Sequence, residues 1–233
     1  MKGIGSSGTD VCALLLAKFP ECGGVKVRLA RQVGDDAATE LYRNFVLDSL
    51  SMLNRSGIPF LICFHPADSL DRFRAWLGIR YDYMPQRGRN LGERLRNGLL
   101  DALSRGFRGT MAIGSDSPDL PEAIILEARD ALQVHDVVIG PSPDGGYYLI
   151  GFKSDAFLPE PFEGIAWSTA TVFRETMKRL KGGGRDVFIL PPWNDIDTYD
   201  DLKAFGMRNS RCSSSETMRY LLEHGGLLSG VDH

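Results

Sequence analysis

The chain has 233 residues, 43% of them hydrophobic and 24% charged, which is enough apolar material for a large core in one globular domain with room for a small subdomain. A formal net charge of -3 argues against a general nucleic-acid binder. The apolar run at residues 11–17, closed by Lys18, is too short to span a membrane.

Residues 1–10 are polar and rich in Gly and Ser, and read as a disordered N-terminal segment. Residues 11–16 read as the first strand. Residues 18–29, with Pro20, Gly23 and Gly24, lack helical periodicity and are expected to form a loop. Paired glycines and cations after a first strand can wrap a phosphate group, although glycines alone also fit an ordinary turn. Lys26 and Arg28 are two apart, so in an extended segment they share a face.

Ala38, Leu41, Phe45, Val46, Leu50 and Leu53 recur at helical spacing, and Gly57 follows as a stop. Residues 59–64 are apolar throughout, as expected of a strand covered on both faces. A short helix over 68–77, a third strand over 80–84 and a loop over 84–90 come next. Leu91, Leu95, Leu99 and Leu103 mark one face of a helix. Arg94 and Arg96 lie off that stripe near its start, where a cation is unfavourable unless an anion sits there.

Residues 109–113 read as a buried strand, followed by Gly114-Ser115-Asp116-Ser117-Pro118-Asp119-Leu120. Such a strand delivers Asp116 to the sheet edge where ligands bind in open α/β sheets. Asp116 is therefore a candidate oxygen ligand for a hard cation such as Mg²⁺. Asp119, with Pro121 and Glu122 after it, better fits a helix cap. A helix over 120–132 and a strand over 136–140 continue the alternation. The class is α/β, with a mostly parallel central sheet and helices on both faces.

Residues 140–151 break the pattern with four glycines and two prolines. Asp144-Gly145-Gly146 is a turn signal before a strand over 147–152. A plain hairpin satisfies it, although paired glycines also let a backbone approach a ligand closely. Trp167-Ser168-Thr169 precedes a helix with Val172, Phe173, Met177 and Leu180 on one face, and Ser168 or Thr169 could be its N-cap. Glycines 182–184 end that helix, residues 186–190 form a last strand, and a helix starts near Tyr199. Thr198 with Asp201 could form a capping box, which leaves Asp195 and Asp197 for other work. No internal repeat or low-complexity linker divides residues 11–207, and residues 208–233 hold a last helix near 215–223 and a polar tail.

Two cationic stretches, Lys18 with Lys26, Arg28 and Arg31, and Arg87 with Arg89, Arg94 and Arg96, suggest an anionic small molecule; solvated surface charge is the plainer alternative. Cys12, Cys22, Cys63 and Cys212 form no C-x-x-C, and Cys12 and Cys63 lie in apolar runs, which points to a reducing, cytoplasmic setting. His65, His135, His224 and His233 show no zinc-ligand spacing.

These segments together resemble a family of nucleotide-diphospho-sugar transferase-like proteins with the Rossmann-like GT-A fold. The resemblance is carried by Ala17-Lys18 with Pro20, Gly24 through Leu29, Leu91-Gly92-Glu93-Arg94, Gly114 through Leu120, Asp144 through Leu149, Trp167-Ser168-Thr169 and Asp195-Ile196-Asp197-Thr198. It spans roughly residues 11–205, close to a whole domain. Related enzymes include guanylyltransferases acting on phospholactate or phosphoenolpyruvate. The resemblance implies that Lys26 and Arg28 act on nucleotide phosphates. It implies nucleotide contacts at Lys18, Gly24, Gln86, Gly92, Arg94 and Ser115. Asp144, Gly145, Gly146, Tyr147, Trp167, Ser168 and Thr169 would line the second substrate's pocket. Asp116 and Asp197, with Asp195 as an alternative, would hold Mg²⁺ or Mn²⁺. The implied activity is metal-dependent transfer from a nucleoside triphosphate or nucleotide-sugar, leaning to nucleotidyl transfer onto a small phosphorylated or hydroxyl acceptor. Glycosyl transfer and nucleotide binding without catalysis are the alternatives; neither nucleic acid nor membrane is an expected partner. Two positions depart from the family's usual pattern: Val27 stands where Thr is usual and Asn90 where Asp is usual.

Overall fold

The computed structural model describes residues 11–210 and 214–229. The expectations for residues 1–10, Cys212 and His233 fall outside them. The first half alternates as β1 (Val11–Lys18), α1 (Val27–Val33), α2 (Asp35–Ser56), β2 (Phe60–His65), α3 (Leu70–Leu77), β3 (Tyr83–Pro85), α4 (Leu91–Ser104) and β4 (Gly109–Gly114). The second half continues with α5 (Glu122–Val134), β5 (Val137–Pro141), β6 (Tyr147–Lys153), α6 (Val172–Gly182), β7 (Val187–Ile189), α7 (Tyr199–Arg208), α8 (Glu216–Glu223) and α9 (Gly226–Ser229).

The strands form one sheet in the order β3-β2-β1-β4-β6-β5-β7. Every pairing is parallel except those of β6, which runs against β4 and β5. That reversal is what the glycine-rich break at 140–151 encodes: a tight turn can only return the chain antiparallel. Successive β1 residues feed opposite faces. Ala13, Leu15 and Ala17 join one core with Leu41 and Phe45 of α2 and Ile125 of α5; Cys12 and Leu14 join the other with Leu95 and Leu99 of α4 and Leu180 of α6. Two covered faces explain why β1, β2 and β4 are mostly apolar, with Lys18 and His65 at the carboxyl ends of β1 and β2 and Thr110 within β4. Among the described residues, no helix is long and apolar enough to cross a membrane.

The structure corrects four local readings. Residues 18–29 are not loop to the end: α1 begins at Val27, and its seven residues bury only Leu29 and Ala30, too few to set a period. Asp119 does not cap α5. Pro121 occupies that position, and the Asp119 carboxylate accepts from Trp193 Nε1 at 3.2 Å, Arg208 at 3.0 Å and Asn209 Nδ2 at 2.8 Å. Neither Ser168 nor Thr169 caps α6: Thr171 precedes that helix, and the Thr169 hydroxyl donates to the Ala166 carbonyl at 2.7 Å. The tail, read as polar, holds the short α9.

Candidate functional site

In the sheet, β2 and β3 lie to one side of β1, and β4 to the other. The crevice between the carboxyl ends of β1 and β4 is thus the switch point where such sheets bind ligands. The Tyr42 hydroxyl joins the two strand ends. It accepts from the Lys18 N–H at 2.9 Å and lies 3.0 Å from the buried Ser115 hydroxyl. Burial first, and then the nearby Asp116 charge, push the Tyr42 phenol up to about 12. Asp116, the residue after Ser115, lines the cavities on either side of this crevice.

Asp197 reaches the same place from the far end of the chain. After β7 the backbone returns beside the sheet, with Leu190 N–H donating to Ile139 O at 2.9 Å, Trp193 N–H to Pro141 O at 3.1 Å and Ile196 N–H to Asp116 O at 2.8 Å. The Ile196 side chain is buried in the core. The expected capping box is present: Thr198 accepts from Asp201 N–H at 3.3 Å, and the Asp201 carboxylate accepts from Thr198 N–H at 2.8 Å. That carboxylate also accepts from Asp197 N–H at 3.1 Å, so one helix cap holds the Asp197 backbone in place.

The two carboxylates converge on Lys26. Its Nζ lies 2.5 Å from Asp116 Oδ1 and 2.9 Å from Asp197 Oδ1, while Arg28 contacts the other Asp197 oxygen. The Lys26 side chain is 4% exposed, against 42% for Asp116 and 39% for Asp197. Burial alone would favour neutral Lys26, but the two acids outweigh it and hold the ammonium well above the ordinary lysine range. Burial likewise raises Asp197, yet Lys26 and Arg28 together pull it below the usual carboxylate range. The expected extended face is not what aligns the two cations. Lys26 is left-handed, at φ 47° and ψ 41°, and Arg28 lies in the first turn of α1. Lys26 and Ser168 are the non-glycine residues with positive φ among the described residues, and both belong to this site. Asp195 lies near the Lys26 cluster but bonds elsewhere. It accepts from Ser117 Oγ at 2.6 Å, and burial followed by the Asp116 charge pushes its carboxyl up to about 6.

Asp116 and Asp197, with Asp195 beside them, are hard oxygen donors of the kind that hold Mg²⁺ together with substrate phosphates. The ammonium among them marks a place that favours positive charge. No group of three or more His, Cys, Asp or Glu side chains among the described residues could hold a metal ion. A dication here would therefore draw most of its ligands from phosphate oxygens and water.

Two cavities meet at this pair. The smaller, about 410 Å³, is lined by Lys18, Gly24, Lys26, Gln86, Arg94 and Ser115; the larger, about 710 Å³, by Asp144, Gly146, Tyr147, Trp167, Ser168, Thr169 and Asp195. Asp116, Asp197 and Arg28 line both. Lys18 Nζ donates to Gly24 O at 2.6 Å and pins the glycine loop. The Gln86 amide nitrogen donates to Cys63 O at 2.7 Å and Ala17 O at 3.3 Å, which leaves its carbonyl oxygen for a ligand. Val27 is exposed on the smaller cavity, and Asn90 caps α4 by accepting from Glu93 N–H at 2.9 Å.

Two predicted glycines do different work. A Cβ on Gly92 would lie 2.4 Å from Phe162 O and 2.7 Å from the Trp167 ring, so this glycine lets α4 pack against the loop behind the larger cavity. Gly145 has φ 89°, and a Cβ there would lie 2.2 Å from Ala170 O; it presses the 144–146 turn onto the loop that carries Ser168 and Thr169. Sequence reasoning missed Tyr42 and His65. Tyr42 is buried on α2 beside the apolar stripe, where only its hydroxyl distinguishes it from core. His65 ends β2 with a buried Nδ1 that has no hydrogen-bond partner, on the smaller cavity's wall; burial first, then Arg94 and Lys18, lower its pKa. Its place at the carboxyl end of a parallel strand was the available signal.

Residues 47–169 match the profile of a family described as "Uncharacterized protein conserved in bacteria (DUF2064)". A crystal structure from Desulfovibrio desulfuricans G20, provisionally described as a nucleotide-diphospho-sugar transferase, shares 40% sequence identity and a TM-score of 0.91, over 96% of this chain and 98% of that one. The fold is shared, at 13% identity and a TM-score of 0.58, with a nucleotidyl transferase from Methanothermobacter, over 88% of this chain and 99% of that one. It is shared too with the manganese complex of Rv0371C from Mycobacterium tuberculosis H37Rv, at 17% identity and a TM-score of 0.52, over 85% and 98%. A comparison with curated proteins finds no match.

Proposed function

The chain belongs to the DUF2064 family, and on that premise we propose that it is a divalent-metal-dependent transferase of the nucleotide-diphospho-sugar transferase type, using a nucleoside triphosphate or nucleotide-sugar. The observation that carries this reading is the shared wall: Asp116 and Asp197 border both cavities, and the cations Lys18, Lys26 and Arg94 line only the smaller one. Donor phosphates belong in the smaller cavity and the acceptor in the larger. The description of the Desulfovibrio relative and the fold shared with a nucleotidyl transferase support it.

Mg²⁺ or Mn²⁺ bound at Asp116 and Asp197, with Asp195 in reserve, would neutralise phosphate charge and steady the leaving group; a manganese complex of a protein with this fold is consistent with such a site. Lys26 and Arg28 stabilise the phosphate oxygens electrostatically and hold the carboxylates in register. Lys18 and Arg94 extend the positive wall toward the remainder of the nucleotide, where His65 and the Gln86 carbonyl oxygen face it. Because both reactants sit against one wall, transfer needs mainly their alignment. We lean to nucleotidyl transfer, since a first loop bearing Lys and Arg suits a triphosphate; glycosyl transfer would use the same carboxylates to hold a diphosphate leaving group. The unpaired, buried Cys12 and Cys63 accord with a reducing, cytoplasmic setting.

The test is a thermal-shift screen of nucleoside triphosphates and nucleotide-sugars, each with and without MgCl₂. A ligand at a hundred times its dissociation constant stabilises by about 2.7 kcal/mol, enough to see. Mg²⁺-dependent stabilisation supports the reading, and no stabilisation by any of them sinks it. Pyrophosphate release with an acceptor present separates nucleotidyl from glycosyl transfer.

A further inference from the structure

We propose that the second substrate is an uncharged, polyhydroxylated molecule such as a sugar or polyol, and that a phosphorylated acceptor is excluded. The inference rests on the transferase reading above and narrows it. The larger cavity is lined by the carboxylates of Asp116, Asp144, Asp195 and Asp197. Arg28 is the single cation among its lining residues, one against four carboxylates, and one of its nitrogens contacts Asp197. The remaining cations of the site lie on the other side of the shared wall. A phosphate entering the larger cavity would meet more carboxylates than cationic side chains, with any dication on the Asp116–Asp197 wall already serving the donor phosphates, whereas a hydroxyl can donate to those carboxylates.

The neutral features of the cavity agree. Asp144 is oriented by Gly146 N–H at 3.0 Å and by Ser142 Oγ at 2.5 Å. Both bonds fall on Oδ1, so Oδ2 is the oxygen left to accept from a substrate hydroxyl. Tyr147 and Trp167 meet edge to face, with ring centroids 6.3 Å apart, and both line the cavity. The Tyr147 hydroxyl is buried away from it, so the residue offers its ring rather than its oxygen. An aromatic wall and a fixed carboxylate in one cavity suit a ring with an apolar C–H face and a hydroxyl edge. Ser168 and Thr169 add short polar side chains at the margin.

The experiment uses the full chain with MgCl₂ and whichever of ATP, GTP, CTP, UTP and UDP-glucose stabilises it most. Glucose and glycerol are compared with glucose 1-phosphate and glycerol 3-phosphate, and product is followed by mass spectrometry. The expected result is product from a neutral acceptor with kcat/KM at least tenfold above that of its phosphorylated partner. Asp144→Asn should raise KM for the neutral acceptor about tenfold while leaving the nucleotide-linked thermal shift in place, and Asp144→Lys should narrow the preference. A phosphorylated acceptor that matches or beats its neutral partner overturns the inference while the nucleotide shift leaves the transferase reading standing. Failure of every neutral acceptor also counts against it. If none of the five nucleotides stabilises the protein, the transferase reading falls and takes the inference with it.

Discussion

The Ile196 backbone N–H donates to the Asp116 carbonyl oxygen at 2.8 Å, stitching the loop after β4 to the segment after β7. Because Asp197 is the next residue along, this bond sets its carboxylate beside that of Asp116. Two residues far apart in sequence thus become one acidic pair through main-chain geometry, with the Lys26 ammonium as their common partner.

The Asp201 carboxylate accepts from Asp197 N–H, Thr198 N–H and Thr198 Oγ1. Asp201→Ala should therefore cost about 1 kcal/mol as a lost cap. For a chain of this size that lowers Tm by about 2–4 °C. It should also weaken Mg²⁺-dependent nucleotide stabilisation, because Asp197 loses its backbone anchor. Scanning fluorimetry with and without nucleotide reads both effects, and an unchanged nucleotide response would detach the cap from the site.

Asp116→Asn keeps shape and removes charge. The ligand-free protein should melt within a few degrees of the parent, since Asp116 is 42% exposed and Lys26 keeps Asp197. The added stabilisation that Mg²⁺ gives with nucleotide should disappear. Retention of the full Mg²⁺ effect would move the metal away from Asp116.

Lys26→Met leaves two carboxylates facing each other without their cation. Removing one partner of a buried pair costs about 3–5 kcal/mol. Both acids here are roughly 40% exposed, so solvent screening should hold the loss to about 1–3 kcal/mol. Divalent ions alone should then raise the variant's Tm more than the parent's. Equal responses to MgCl₂ would show that Lys26 does not occupy the place a dication prefers.

Gly92→Ala puts a methyl group 2.4 Å from Phe162 O and 2.7 Å from the Trp167 ring. Backbone and a packed indole cannot both give way cheaply, so the loop behind the larger cavity should shift. Acceptor-dependent turnover should fall at least tenfold while nucleotide still stabilises the protein. A weakened nucleotide-linked thermal shift with the KM for acceptor unchanged would instead assign this glycine to the nucleotide side.

The parts of the site set by local chemistry were legible in the sequence. Asp116 follows an apolar run that reads as a buried strand, and the Thr198-Asp201 spacing pointed to the cap and left Asp195 and Asp197 for other work. Features that depend on distant partners were not. Asp119 resembles a cap in sequence, but its donors Trp193, Arg208 and Asn209 lie at the far end of the chain and win because they are held together around one carboxylate. The left-handed turn at Lys26 leaves no compositional trace, since a lysine there is neither glycine nor asparagine. The steric reason for Gly92 likewise depends on a distant partner, since Trp167 and Phe162 set it.

Since the Asp116–Asp197 pair borders both cavities, occupying one cavity changes the electrostatic field in the other. If the two cavities take a nucleotide and an acceptor as proposed, their binding is thermodynamically linked: whatever factor the nucleotide contributes to acceptor affinity, the acceptor returns to nucleotide affinity. On the proposed reading, a dication and phosphates on that wall would be felt in the second cavity, so the two affinities would be measured together rather than one at a time.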